Sequence, residues 1–221
     1  KKLSKLTIPS SISIIDQYAF ALCSSLSKIS IPSSPVIIEK FAFYGCSSLT
    51  DVSISSSLYA ISEFTFCKCT SLKEINIPLS VVIIKKSAFQ QCSSLTQITI
   101  PSSVVFIDRN AFSNCSKLVQ IDIPSSVTSI GDYAFNECLS LTQVTIPSSV
   151  TSIGYYVFNK CLSLAQMSIP FHLISSGKLP LNMIKILEIT GKFECITNNM
   201  FSKCSLLTQI TIPSSVTDIG D

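Results

Sequence analysis

A strict 23-residue period confines this chain to architectures built by stacking. Phe20, Phe43, Phe66, Phe89, Phe112, Phe135 and Phe158 recur at that interval, as do Cys23, Cys46, Cys69, Cys92, Cys115, Cys138 and Cys161. Leu26, Leu49, Leu72, Leu95, Leu118, Leu141 and Leu164 form a third column with the same spacing. A single unit cannot bury such residues alone, whereas units stacked in register bury each column continuously. The unit around Phe112 reads Ala111-Phe112, Cys115, Leu118, Ile121, Ile123-Pro124, Val127 and Ile130-Gly131-Asp132. Leu118, Ile121 and Ile123 fit a short strand that turns alternate side chains inward. Pro124 ends it for want of an amide hydrogen, and Ser125-Ser126 makes the turn. Val127 and Ile130 begin a second extended stretch, which Gly131-Asp132 punctuates. Ala134-Phe135 and Cys138 fit one to two helical turns with a single apolar face.

The isoleucines that end the first strands are Ile8, Ile31, Ile54, Ile77, Ile100, Ile123, Ile146, Ile169, Ile189 and Ile212, so ten parallel strands are expected. The interval from Ile169 to Ile189 is 20 residues. There the Ala-Phe and Cys signals give way to Phe171 through Leu181, with Gly177 and Pro180, which predicts one shortened, degenerate unit over about 171–191. Regular phasing resumes at Phe201 and Cys204. The whole of 1–221 reads as one solenoid. Leu3, Leu6 and Ile8 have no covering cap, and Ile219-Gly220-Asp221 stops where another Ala-Phe is due. The array is therefore expected to be truncated at both ends, or to self-associate through them.

These motifs resemble the BspA-like, or treponemal-type, leucine-rich repeat family. Its unit has an Ala-Phe, a Cys, a spaced Leu, an Ile-x-Ile-Pro strand and a Val-x-x-Ile-Gly segment. The resemblance spans the chain except about Phe171 to Leu181, with departures at Ser55, Thr65, Val157 and Met167. The expected fold is α/β, a right-handed leucine-rich-repeat solenoid with about ten parallel strands on its concave face. Short second strands and short helical turns are expected on the convex side. The resemblance also implies adhesion or protein binding on the surfaces of bacteria and of parasitic or commensal protists. It supplies no common catalytic residue to carry over.

Composition narrows the function classes further. Charged residues make up 13% and the net charge is only +3, with both signs mixed along the chain. No basic cluster with interleaved aromatics points to nucleic acid. Mean hydropathy is high at +0.50, yet no run approaches the roughly 18 apolar residues of a membrane span. The start, Lys1-Lys2-Leu3-Ser4-Lys5, carries no signal-peptide core. Of ten cysteines, eight (the seven above and Cys204) share one repeat position, which reads as a column of buried free thiols. Cys67 and Cys195 lie outside it, and the Cys67–Cys69 spacing is unlike a zinc pair. Unpaired thiols point to a reducing compartment and the family resemblance to a cell surface, so localisation stays open. His172, the sole histidine, lies in the degenerate unit with no acid close in sequence and reads as an exposed loop residue. The acids are scattered singly, and the six glycines form no phosphate-cradling loop. No enzyme, metal or cofactor reading follows. The sequon Asn114-Cys115-Ser116 is one short match and is read as silent.

Two outward features carry the binding hypotheses. Between the inward strand positions, one ladder includes Lys28, Asp51, Glu74, Gln97, Gln120, Gln143 and Gln166, and the next includes Asn76, Thr99, Asp122 and Thr145. Glu74, Gln97, Thr99, Gln120, Asp122, Gln143, Thr145 and Gln166 are the candidate ligand-binding set, suited to a protein or a glycan. The alternative is a solvated sheet face. In the Val-x-x-Ile segment, the paired x positions are Val36-Ile37, Tyr59-Ala60, Val82-Ile83 and Val105-Phe106, then Thr128-Ser129 and Thr151-Ser152. An extended chain cannot turn two successive side chains inward, so an apolar stripe is expected from Val36, Ile37, Tyr59, Val82, Ile83, Val105 and Phe106. That stripe is the candidate partner or self-association surface, and packing between repeats is its alternative. A recognition or adhesion module leads, with an intracellular scaffold or regulatory segment of a larger protein as the alternative and an enzyme a distant third.

Overall fold

Alternating polar and apolar residues build the long strands: Lys28–Ile31 runs exposed, buried, exposed, buried, and Asp51–Ile54 repeats it. The computed structural model describes residues 3–32, 37–54 and 58–220. Long strands pair in parallel with the sequence period as their register, Lys28 with Asp51 and Gln120 with Gln143, in two sheets that part after Asp51–Ile54. Among the described residues eight of the ten expected long strands form. The other two positions narrow to single bridges, Asn76 to Thr99 and Thr99 to Asp122. The expected second extended stretches are present as two-residue strands, including Ile14–Ile15, Ile37–Ile38, Ile83–Ile84 and Phe106–Ile107.

Stacking buries the repeat columns as one core that runs from Ile8 to Ile189. Phe43, Phe66, Phe89, Phe112, Phe135 and Phe158 are fully buried, and successive rings stack nearly parallel, with centroids 5.3 to 5.7 Å apart. Units also meet closely along the backbone. A Cβ on Gly131 would lie 2.5 Å from the Arg109 amide nitrogen, so only glycine fits there without a shift.

The convex segments differ from the expected helical turns. Asn110, Phe112 and Asn114 donate their N–H groups to carbonyls of the next unit, on Asp132, Ala134 and Asn136. The residues between them, Ala111, Ser113 and Cys115, donate three residues back, to Asp108, Asn110 and Phe112. Asn110 and Asn114 hold positive φ of 56° and 62°, and the same two positions recur in other units, as at Tyr133 and Glu137. A left-handed residue every four reverses the coil before a helix can propagate. It aims alternate N–H groups along the stack, so the convex side is a third inter-unit ladder. Among the described residues, the helical segments are Phe171–Ile174 and a 3₁₀ turn at Leu181–Met183, both in the degenerate unit.

That unit absorbs its deletion on one side only. Gln166–Pro170 pairs with Ile186–Thr190 through five residues, so the long-strand ladder crosses the shortened interval in full register. The short-strand ladder does not cross it. Ser152–Ile153 pairs back to Ser129–Ile130, and Cys195–Ile196 pairs forward to Asp218–Ile219.

Candidate functional site

The long strands bring part of the polar set together. Glu74, Gln97, Thr99, Gln120 and Asp122, joined by Asn76, line a depression of about 280 Å³ floored by Ile75 and Ile98. Gln97 Nε2 donates to Glu74 Oε2 at 3.3 Å, and Gln120 Nε2 donates to Asp122 Oδ1 at 3.2 Å. Each carboxylate thus receives one amide N–H, and no cation lines the depression. The nearest rungs toward the N-terminus carry the Lys28–Asp51 ion pair at 2.5 Å. Gln143, Thr145 and Gln166 continue the same ladders in register but lie outside the depression. Asn76 was legible as an outward position; that the face dips beside it was not.

The short strands carry the apolar stripe. Ile37 and Phe106 are 56% and 45% exposed, and Tyr59 is 66% exposed. Val82, Ile83 and Val105 are half-buried, and Val36 lies outside the described residues. Ile14, 54% exposed, extends the stripe by a rung, because it pairs with Ile37. Aligning Ile12-Ser13-Ile14-Ile15 on the Val-x-x-Ile segment identifies it. A depression of about 520 Å³ is lined there by Ile14, Ile37, Leu58, Tyr59, Glu39 and Lys85, among others.

A further aromatic column, exposed at Tyr18 and Tyr156 and half-buried between them, has no counterpart in the sequence expectations. Tyr18, Phe41 and Phe64 occupy the first left-handed position of the convex turns and stack at 4.8 and 4.5 Å, as Tyr133 and Tyr156 do at 5.1 Å. Lys86 covers the Phe64 ring and Arg109 the Tyr133 ring, so these rings serve the packing of the ladder.

The chemistry-bearing side chains are occupied structurally. The column thiols are buried from Cys46 to Cys161, and each donates to the carbonyl of a Phe in the preceding unit, as Cys115 does to Phe89 at 3.3 Å. Burial pushes Cys46 and Cys161 up to about 12 and Cys67 up to about 11, away from the thiolate that nucleophilic or metal chemistry needs. Among the described residues no group of three or more His, Cys, Asp or Glu side chains is placed to hold a metal ion. His172 is exposed, and its Nε2 donates to the Val150 carbonyl at 2.9 Å. Ser103 and Ser126 make the same contact to Val81 and Val104. Pro170-Phe171-His172-Leu173 is therefore a rewritten Pro-Ser-Ser-Val, a correspondence the sequence carried. Lys178 Nζ likewise donates to the Ile153 carbonyl at 2.7 Å, where regular units use a backbone N–H.

The family described as BspA type leucine rich repeat region matches in six copies, over residues 1–119 and 107–221. The chain belongs to this family. Among solved structures, a BspA-type chain of this kind is similar to a leucine-rich repeat protein from Bacteroides ovatus. That match has 26% identity and a TM-score of 0.53, and covers 99% of this chain and 71% of that one. A T. pallidum leucine rich repeat protein matches at 22% identity, covering 100% and 74%, with a TM-score of 0.41. A leucine rich cell surface protein from Faecalibacterium prausnitzii matches at 21%, covering 94% and 78%, with a TM-score of 0.32. No curated protein matches the sequence. Among the described residues no helix is long and apolar enough to cross a membrane.

Proposed function

We propose that the chain is a recognition module that docks a protein or glycan ligand on its long-strand face, centred on the depression between Glu74 and Asp122. The observation that carries this reading is that concavity. There the outward ladders, which vary while the inward columns repeat, gather two carboxylates, three amides and one hydroxyl into one depression. Fixed polar groups on a rigid ladder are pre-organised for recognition, which lowers the ordering cost of binding. The seven buried thiols, Cys67 and the column from Cys46 to Cys161, do not confine the module to a reducing compartment. Their burial withholds the thiolate that oxidation requires, so the column is compatible with the surface location implied by the family. The scaffold alternative rests on the unpaired thiols and on a start without a signal-peptide core, and the burial argument weakens the first of these.

An array of proteins and glycans probed with this chain is expected to yield ligands whose binding weakens about tenfold or more when Glu74→Ala and Asp122→Ala are combined. Gln209→Ala, on the same ladder but remote from the depression, should leave binding unchanged. Full-strength binding by the double variant to every ligand found would refute the assignment of this face.

A further inference from the structure

We propose that the short-strand groove is a self-association surface, pairing two copies of this chain about a two-fold axis through the Ala60 rung. The outward column of the short strands reads Ile14, Ile37, Ala60, Ile83 and Phe106, followed by Ser129 and Ser152. Counted by repeat, the apolar residues are distributed evenly about the smallest one, although the strand ladder is interrupted between Ile37–Ile38 and Ala60–Ile61, where Ser62 Oγ donates to the Ile38 carbonyl at 2.6 Å. Ile37 and Ile83 lie one rung to either side of Ala60, and Ile14 and Phe106 lie two. The depression opens at that interruption, where Ile14, Ile37, Ala60 and the exposed Tyr59 line it.

The charges follow the same symmetry. Two residues further along each strand, on the same face, the column reads Asp16, Glu39, Ser62, Lys85 and Asp108. Glu39 and Lys85 both line the depression, one rung to either side of Ser62, and neither is in an ion pair among the described residues. A two-fold axis lying in the contact plane along the strand direction turns each rung onto its mirror position. It sets Ile37 over Ile83 of the second copy, Ile14 over Phe106 and Tyr59 over Tyr59. It also sets Glu39 opposite Lys85 twice. A slip of one rung toward the C-terminus sets Ile14 over Ser129 and Glu39 opposite Asp108, separating both ion pairs, so charge and shape choose one register. The register also sets Asp16 opposite Asp108, but only at the outer rim, where each is exposed and already accepts the amide N–H of its neighbour.

Ser129 and Ser152 end the stripe, which spans five rungs, roughly 20 Å at strand spacing. That is enough for the core of a small interface, so the dimer is concentration-dependent rather than obligate. The proposal stands apart from the ligand reading, because it uses the other sheet.

Sedimentation velocity at low salt tests it. The parent chain is expected to shift from monomer to dimer as concentration rises. Glu39→Lys and Lys85→Glu should each weaken dimerisation about tenfold or more, since each replaces both ion pairs by like charges. Two outcomes are specific to the two-fold axis. An equimolar mixture of the two single variants should form a heterodimer, because both contacts are complementary again, and the double variant should recover parental dimerisation. Circular dichroism checks that all variants fold. A parent chain that stays monomeric throughout overturns the proposal, and so does a mixture in which folded single variants fail to associate.

Discussion

At the scale of the residue, the cysteine column shows how one position serves the fold and withholds chemistry. Its place in the core was legible, because a residue recurring every 23 positions beside a buried Phe and Leu has to point inward. The S–H bond to the preceding unit's Phe carbonyl was not, since it depends on how the turn aims that carbonyl. The buried thiols also make stability pH-dependent, and the sign follows from proton counting. An unfolded thiol ionises near its ordinary 9.0, whereas Cys161 in the fold ionises only near 12. Between those values the folded chain holds more protons than the unfolded one, so stability falls as pH rises. The contribution is complete below about pH 9 and gone by about pH 12. Each such thiol adds at most about 1.4 kcal/mol per pH unit to that slope. Cys161→Ala should lower stability at neutral pH by roughly 1–2 kcal/mol through lost packing, and flatten the decline above pH 9. Urea midpoints of both proteins at pH 7, 9 and 10 decide it, and parallel declines would count against burial as the cause.

At the scale of the element, the strands were readable and the convex turns were not. Pro124 and its counterparts mark strand ends by an absent donor, which any sequence displays. Ala-Phe-x-x-Cys, in contrast, has the spacing of an apolar helical face, and the feature that prevents a helix is a backbone angle. The second left-handed column holds Leu22, Gly45, Lys68, Gln91, Asn114, Glu137 and Lys160, of which only Gly45 announces its conformation. What the column shares is the lack of a β-branched residue, because branching at Cβ is least tolerated at positive φ. Gln91, at φ 61°, tests this, since its N–H also bonds Ser113 of the next unit at 2.8 Å. Gln91→Ile should destabilise the chain by about 1–2 kcal/mol, while Gln91→Gly, which copies Gly45, should change stability by a few tenths at most. Equal losses in thermal or urea unfolding would mean that the left-handed turn is not what the position demands.

At the scale of the whole molecule, stability is a sum of neighbour-to-neighbour couplings, so the place where one coupling is missing sets the limits of cooperativity. The 20-residue interval located one such place in the sequence; the interruption after Ile37–Ile38 and Asp51–Ile54 has no such mark. The asymmetry at the shortened interval was hidden, because register is settled by which strands meet: the long ladder closes over the deletion while the short ladder opens. The candidate docking face divides in the same way, since the outward ladder is periodic and legible whereas the dip at Glu74 and Asp122 depends on the paths of adjacent units. At the open edge, Lys178 covers the Ile153 carbonyl that a missing strand leaves behind, and His172 covers the Val150 carbonyl as a serine does in regular units. If these side chains hold the edge, removing them loosens Val150 to Gly154 without disturbing the strands Gln166–Pro170 and Ile186–Thr190. Two bonds of roughly 0.5–1.5 kcal/mol each predict amide exchange in that segment roughly 5- to 150-fold faster in His172→Ala/Lys178→Ala. Hydrogen-exchange mass spectrometry should find protection of the two long strands unchanged. Acceleration spread evenly over both ladders would place the coupling in the unit as a whole, and an unchanged segment would leave the two side chains without a structural task.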